Sequence, residues 1–108
     1  MVQVIKTYEK TLTANQTDIE IKGISVPKGE KYIVNGISGT MAGDGILKVY
    51  LSDEELLTIN KDELPDKNHP AILNWEAPEG TEIRIKADDK SGANNRMQIT
   101  IYYEKTTA

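Results

Sequence analysis

The side chains of this sequence that could carry chemistry are a set of carboxylates and a single histidine. Two carboxylic acids held close together can hydrolyse a glycosidic bond, and loops that gather several oxygens can bind calcium. Each of the acids considered falls in a predicted turn or loop, so we expect a solvated acidic surface. The acids are Asp44, Asp53, Glu54, Glu55, Asp62, Glu63, Asp66, Asp88 and Asp89. Calcium binding is the sharper alternative to a solvated surface, although no D-x-D-x-D-G spacing occurs among these acids.

His69 is the only histidine, and it precedes Pro70 in a polar stretch. Nucleophilic catalysis needs a nucleophile, a base and a group that orients the base, and the sequence contains neither a G-x-S-x-G elbow nor a P-loop. We therefore expect His69 to shape a surface loop. The sequence predicts no enzyme, with no catalytic residue, no cofactor-binding residue and no metal ligand.

The segment Gly43-Asp44-Gly45 is not a dinucleotide fingerprint, because no helix is predicted after it. It is typical of the tight turn of a hairpin, in which Asp44 is expected to tolerate a positive φ. The chain has no cysteine, which excludes disulfides, thiolate metal sites and cysteine nucleophiles.

Aromatic side chains on a flat sheet face could stack on sugars, which makes a carbohydrate-binding module the alternative function. The aromatic residues are Tyr8, Tyr32, Tyr50, Trp75, Tyr102 and Tyr103. Trp75 shares a strand parity with Leu73, so we expect it in the core. Tyr102 and Tyr103 must point to opposite faces, so at most one is in the core. The other could lie on the surface or at a subunit contact, where tyrosine is enriched.

Charge and hydropathy limit the partners. The net charge is −4 over 108 residues, the charges are mixed, and there is no basic stripe, so we expect no nucleic-acid partner. No apolar run approaches the length of a membrane span, so we expect no membrane partner. The N-terminus does not resemble a signal peptide, and the absence of cysteine leans towards cytosolic synthesis.

Alternating apolar residues predict about eight β-strands and no convincing helix. The predicted strands cover residues 2–8, 17–26, 30–42, 46–51, 56–59, 71–77, 81–87 and 97–104. The stretch 12–17 is predicted as a polar link, 60–70 as the longest loop, with a single helical turn possible, and 88–95 as an exposed loop. Gly23 suggests a bulge.

Two local ambiguities remain. Asn35-Gly36 is either a hairpin turn or a kink within one strand, and we favour the kink. The segment Ser52-Asp53-Glu54-Glu55 fits either a helix capping box or a four-residue hairpin loop, and we favour the hairpin.

Residues 26–30 and 77–81 form an internal echo, in which a strand enters a Pro-X-Gly turn and an Ile-rich strand leaves it. Eight strands in two similar halves favour a two-sheet antiparallel sandwich of the jelly-roll kind, formed as one domain by residues 1–108. An immunoglobulin-like sandwich stays open, although the Cys…Trp…Cys signature is absent.

Three blocks of the sequence resemble small β-sandwich or jelly-roll accessory proteins of bacteriophage and prophage virions. They are ISVPKGEKYIV at 24–34, MAGDGILKVYL at 41–51 and QITIYYE at 98–104. The resemblance implies a head-decoration, fibre or tail-associated role, protein partners that include self-association, and location in the virion or the cytoplasm. A trimer is one form that this self-association could take, by analogy with such assemblies. It implies no catalytic residues.

Overall fold

The computed structural model describes all residues from Met1 to Ala108. Its eight strands are β1 (Val2–Leu12), β2 (Ile19–Ser25), β3 (Glu30–Met41), β4 (Gly45–Leu51), β5 (Glu54–Asn60), β6 (Ala71–Ala77), β7 (Glu82–Asp89) and β8 (Asn95–Thr107). One 3-10 turn, Lys61–Glu63, lies between β5 and β6. It falls in the loop 60–70, for which the sequence allows a single helical turn.

The strands form two four-stranded sheets, which we call sheet A and sheet B. The order is β1-β8-β3-β6 in sheet A and β2-β7-β4-β5 in sheet B. Every neighbouring pair is antiparallel. This order is that of a jelly roll, in which the chain passes between the sheets so that early and late strands become neighbours. The predicted fold class is therefore confirmed.

The two Pro-X-Gly turns of the internal echo lie side by side. The Val26 backbone N–H donates to the Thr81 carbonyl at 2.9 Å, and the Gly80 N–H donates to the Val26 carbonyl at 3.0 Å. Gly29 and Gly80 have φ values of +84° and +80°, a conformation that glycine adopts without steric cost. The echo in sequence thus marks two equivalent corners of the sandwich.

The core lies between the two sheets. It is formed by every second residue of the central strands, whose side chains point inward. Sheet A contributes Met97, Ile99, Ile101 and Tyr103 from β8, and sheet B contributes Leu47 and Val49 from β4 with Ile83, Ile85 and Ala87 from β7. The inward residues predicted for β4, β7 and β8 are confirmed for these positions, and Leu51 at the end of β4 is half-buried.

The kink at Asn35-Gly36 is an irregularity within one continuous strand. The register of β3 against β8 shifts between Val34 and Gly36, so two residues of β3 oppose one of β8, as in a β-bulge. The bulge changes the parity of the strand. Tyr32 and Val34 before it and Ile37 after it are therefore all buried.

The hairpin between β4 and β5 is confirmed, with a shorter loop than expected. Ser52 and Asp53 alone separate the two strands, and Ser52 has a φ of 52°. The bulge in β2 is misplaced in the prediction: the register shifts between Glu20 and Lys22 rather than at Gly23.

Two loop predictions are wrong. Leu12 is not part of a polar link, because it ends β1 and is 0% exposed. Residues 88–95 are not all exposed, because Asp88, Asp89 and Asn95 are buried at the ends of β7 and β8. Local sequence favours a loop in both places, and segments distant in the chain pack over these residues, as Asn15 does on Asp89 and Gly43 on Asn95.

Candidate functional site

The outer face of sheet A carries an apolar row that crosses all four strands. The strand register aligns Ile5 of β1 with Tyr102 of β8, Tyr102 with Gly36 of β3, and Gly36 with Ile72 of β6. Ile5 is 61% exposed and Ile72 is 95% exposed. We call Ile5, Tyr102 and Ile72 the apolar row.

Gly36 gives the apolar row its shape. A β-carbon at Gly36 would lie 2.7 Å from the Ala71 carbonyl oxygen and 3.5 Å from Cδ1 of Tyr102. The first distance is too short, so a side chain there would push β3 and β6 apart, whereas the second is an ordinary contact with the tyrosine ring. The half-buried Tyr102 stands in the middle of the row, on the strand between those of the two isoleucines and next to Gly36.

A polar groove of about 400 Å³ lies on the same face, next to the apolar row. We call it the polar groove, and none of its nine lining residues is hydrophobic. Strands β1, β3 and β8 form its floor and residues 66–68 form its wall. The lining residues are Thr7, Ser38, Gly39, Thr40, Asp66, Lys67, Asn68, Gln98 and Thr100.

The wall of the groove is fixed to the sheet where β6 no longer covers β3. The Gly39 backbone N–H donates to the Pro65 carbonyl at 2.9 Å. Within the loop, the Asp66 carboxylate accepts the backbone N–H groups of Asn68 and His69, both at 2.9 Å. These bonds stabilise the charged carboxylate and hold the pKa of Asp66 below its usual value.

His69 lies exposed in this loop, and its Nδ1 is 3.3 Å from Asp66 Oδ1. This contact lies within the same turn that the Asp66 carboxylate holds together.

The buried acids correct the expectation of a wholly solvated acidic surface. Asp89 is 2% exposed, and its carboxylate accepts the Asn15 N–H at 2.8 Å, the Ser91 hydroxyl at 2.6 Å and the Gly92 N–H at 3.1 Å. The Ser91 hydroxyl has the largest effect in lowering the pKa of Asp89 far below its usual range, followed by the Asn15 N–H. The carboxylate therefore ties two loops together.

Asn95 completes this buried cluster and holds the turn between β3 and β4. Its Oδ1 accepts the Gly43 N–H at 2.9 Å, and its Nδ2 donates to the carbonyls of Gly43 and Asp44 at 3.0 and 2.9 Å. Nδ2 also lies 3.1 Å from Asp89 Oδ1.

Asp88, also buried, is neutralised by Lys48. Lys48 Nζ is 3.0 Å from Asp88 Oδ2 and 2.8 Å from Asp18 Oδ1. The hydrogen bond to Asp18 is the largest cause of the raised pKa of Lys48, and the same bond lowers the pKa of Asp18. An ammonium group thus occupies the position between these carboxylates.

The Gly43-Asp44-Gly45 turn does not use a positive φ, contrary to expectation. The three glycines with positive φ are Gly29, Gly80 and Gly92, and Asp44 is not among the non-glycine residues that have one. The turn needs glycine for space. A β-carbon at Gly43 would lie 2.8 Å from Cβ of Ser91, and one at Gly45 would lie 2.8 Å from the Asp88 carbonyl oxygen.

The side chains of the remaining acids lie outside this buried cluster. Asp44 lies in an exposed turn, Asp53 in the hairpin turn, Glu54 and Glu55 at the exposed start of β5, and Asp62 and Glu63 in the 3-10 turn. No three His, Cys, Asp or Glu side chains lie together in an arrangement that could hold a metal ion. The structure contains no helix of the length and apolar character that a membrane span requires.

The aromatic residues divide between the two surfaces of the sheets. Tyr32 and Tyr103 are buried and stack with ring centroids 5.2 Å apart. Trp75 faces the core but is only half-buried, and it lines a small apolar void of about 10 Å³ with Val34 and Ile83. Tyr102 lies on the outer face opposite to Tyr103, as the alternation of the strand predicts.

Sequence reasoning missed the polar groove. In β8, Gln98 and Thr100 alternate with the buried Met97, Ile99 and Ile101, and this alternation is a readable signal, whereas Ser38 of β3 is itself buried. The register that places Thr7 beside Thr100, and Thr100 beside Ser38, joins residues far apart in the chain.

No protein-family model matches the chain, and no curated protein matches it. Among solved structures, it is similar to a chain of the acidic stable capsid structure of Helicobacter pylori bacteriophage KHP30, with a TM-score of 0.48. The two are 10% identical, and the alignment covers 99% of this chain and 98% of that chain. A likeness of this size assigns neither a family nor a function.

Proposed function

We propose that this chain is a non-enzymatic structural protein, an accessory component of a phage or prophage particle that works through protein–protein contacts. The observation that carries the proposal is the apolar row, in which Ile72 is 95% and Ile5 is 61% exposed. Burying an exposed isoleucine against a partner gains about 1.5–3 kcal/mol. Burial of the apolar row therefore favours association through the outer face of sheet A. A second copy of the chain is the first partner to test.

The buried polar groups support a structural role rather than catalysis. The Asp89 carboxylate accepts backbone and side-chain donors, and Asp88 is paired with Lys48. These groups are committed to holding loops together, and neither is left to exchange protons with a substrate.

The particle assignment is supported by the resemblance of the three sequence blocks at 24–34, 41–51 and 98–104. The jelly roll itself is compatible with this assignment, because viral capsid domains use it, but lectin domains use it too.

The experiment is size-exclusion chromatography with light scattering on the wild type, Ile72→Asp and Ile5→Asp. We expect the wild type to form an oligomer and both variants to run as monomers, because each puts a charge into the apolar row. Asn74→Asp is the matched control, since Asn74 is exposed on the same strand two residues from Ile72, and it should remain an oligomer.

A wild-type protein that stays monomeric at its highest soluble concentration contradicts the self-association proposal. A gene neighbourhood without virion genes contradicts the assignment to a particle.

A further inference from the structure

We propose that the polar groove is a binding site for a neutral saccharide. The site is additional to the protein–protein contact proposed above. The groove-lining residues are not members of the apolar row, and Tyr102 is the one residue that borders both sites. Its floor is formed by side chains on β1, β8 and β3, and its wall by residues 66–68.

The first part of the floor is a row of hydroxyl groups. Thr7 Oγ1 and Thr100 Oγ1 are 2.8 Å apart, and Ser38 Oγ is 3.3 Å from the Tyr102 hydroxyl. Each hydroxyl has one hydrogen to donate and two lone pairs to accept. A bond between two hydroxyls uses one of their two hydrogens, so the Thr7–Thr100 pair keeps donor and acceptor capacity for a ligand. Ser38 is 1% exposed, so in the second pair any contact with a ligand falls to the half-buried Tyr102.

The next row and the wall add groups of mixed polarity. Gln98 of β8 and Thr40 of β3 are aligned neighbours, and Asn68 stands in the wall. Side-chain amides offer both donors and an acceptor. Asp66 holds its turn through Oδ1, and Oδ2 takes no part in those bonds, which leaves an acceptor at the rim.

These features favour a polyhydroxylated, uncharged ligand. Sugar hydroxyls both donate and accept, as the lining groups do, whereas no lining side chain is hydrophobic enough to select an apolar molecule. Asp66 and Lys67 are the two charged lining residues and they offset each other, so neither an anion nor a cation is favoured. The volume of about 400 Å³ falls in the usual range for small-molecule sites.

Tyr102 adds an apolar surface beside the floor. Its hydroxyl bonds to Ser38, which lines the groove, and its ring lies over Gly36. An aromatic ring with a polar tip suits a ligand that presents both C–H and O–H groups. The aromatic that we assign to the sugar is therefore Tyr102, and Trp75, turned towards the core, is not part of this site.

The groove and the apolar row can be separated by mutation. Aligned rows on one sheet face are two residues apart, roughly 6.8 Å. Ile72 is not among the groove-lining residues, and Gln98 and Thr40 are not in the apolar row. Loss of self-association and loss of sugar binding are therefore distinguishable results.

The test is binding of the full chain to a printed array of bacterial and mammalian oligosaccharides, followed by calorimetric titration with each oligosaccharide that binds. We expect at least one to bind, and Gln98→Ala and Thr40→Ala each to weaken it about tenfold, the effect of losing one good hydrogen bond. Gln3→Ala, on the same sheet face but outside the groove, should bind like the wild type.

Thr40 is exposed, so its variant should fold even where Gln98→Ala does not, and circular dichroism checks both. Ile72→Asp should keep the sugar while it loses self-association. Absence of any bound oligosaccharide for the wild type overturns the proposal, and so does binding that both groove variants leave unchanged.

Discussion

Removal of the buried Asn95 amide tests how the turn between β3 and β4 is held. Asn95 is 0% exposed. Its oxygen accepts one backbone N–H, and its two amide hydrogens are shared among three oxygens, so Asn95→Ala removes the equivalent of three hydrogen bonds. At about 1 kcal/mol net for each bond, the free energy of unfolding should fall by about 3 kcal/mol.

The same loss can be expressed as a melting temperature. The entropy of unfolding is about 2.1 cal/mol/K per residue, so for a chain of 108 residues a loss of 3 kcal/mol lowers Tm by about 13 °C. Denaturant titration followed by fluorescence of Trp75, the single tryptophan, gives the free energy, and a thermal scan by circular dichroism gives Tm.

Asn94→Ala is the matched control, because Asn94 is the preceding residue, of the same type, and exposed. Its effect should stay within about 0.5 kcal/mol, as for most surface substitutions. Asn95→Asp should be worse than Asn95→Ala, because it places an oxygen against the Gly43 and Asp44 carbonyls and the Asp89 carboxylate. Equal stabilities for Asn94→Ala and Asn95→Ala would refute the reasoning.

Two further predictions concern stability. Leu12→Ala should lower the free energy of unfolding by about 2–5 kcal/mol, because Leu12 is 0% exposed. Val2→Ala on the same strand should lower it by less than about 1 kcal/mol, because Val2 is 59% exposed. Equal denaturation midpoints for the two variants would contradict this. The pKa of Asp89 is lowered by folding, so its contribution to stability is complete above the unfolded pKa of about 3.9 and is lost as the pH falls below it. Denaturation midpoints measured from pH 6 down to about pH 2 should therefore fall more steeply for the wild type than for Asp89→Asn, and parallel curves would show that Asp89 is not the group responsible.

The alternation of apolar residues was enough to predict the fold class. In β7, Ile83, Ile85 and Ala87 face inward because successive side chains of a strand point to opposite faces. The same rule correctly separated Tyr102 from Tyr103. These predictions depend on neighbours in the chain, and a single sequence contains that information.

The bulge at Asn35 cannot be predicted from the alternation of residues along the chain alone. Before it, Tyr32 and Val34 are buried, and after it the buried parity changes to that of Ile37 and Met41. Asn35-Gly36 indicates an irregularity at this position in the sequence. Only the pairing of β3 with β8 and β6 decides whether it is a kink or a turn.

The sites on outer sheet A depend on long-range register. Ile5 and Tyr102 are ordinary members of alternating strands, and their juxtaposition in the apolar row requires the first and last strands to pair, as the jelly roll makes them do. The same pairing brings Thr7 to Thr100 and so builds the polar groove.

What the sequence determined by itself is the set of strands, their inner faces and the sandwich class, because strand alternation is a local property. The tertiary structure alone decided that Asp88, Asp89 and Asn95 are buried and that Leu12 is core, since their burial comes from loops and strands distant in the chain. It also decided which exposed residues are neighbours, because register across four strands sets the apolar row and the groove.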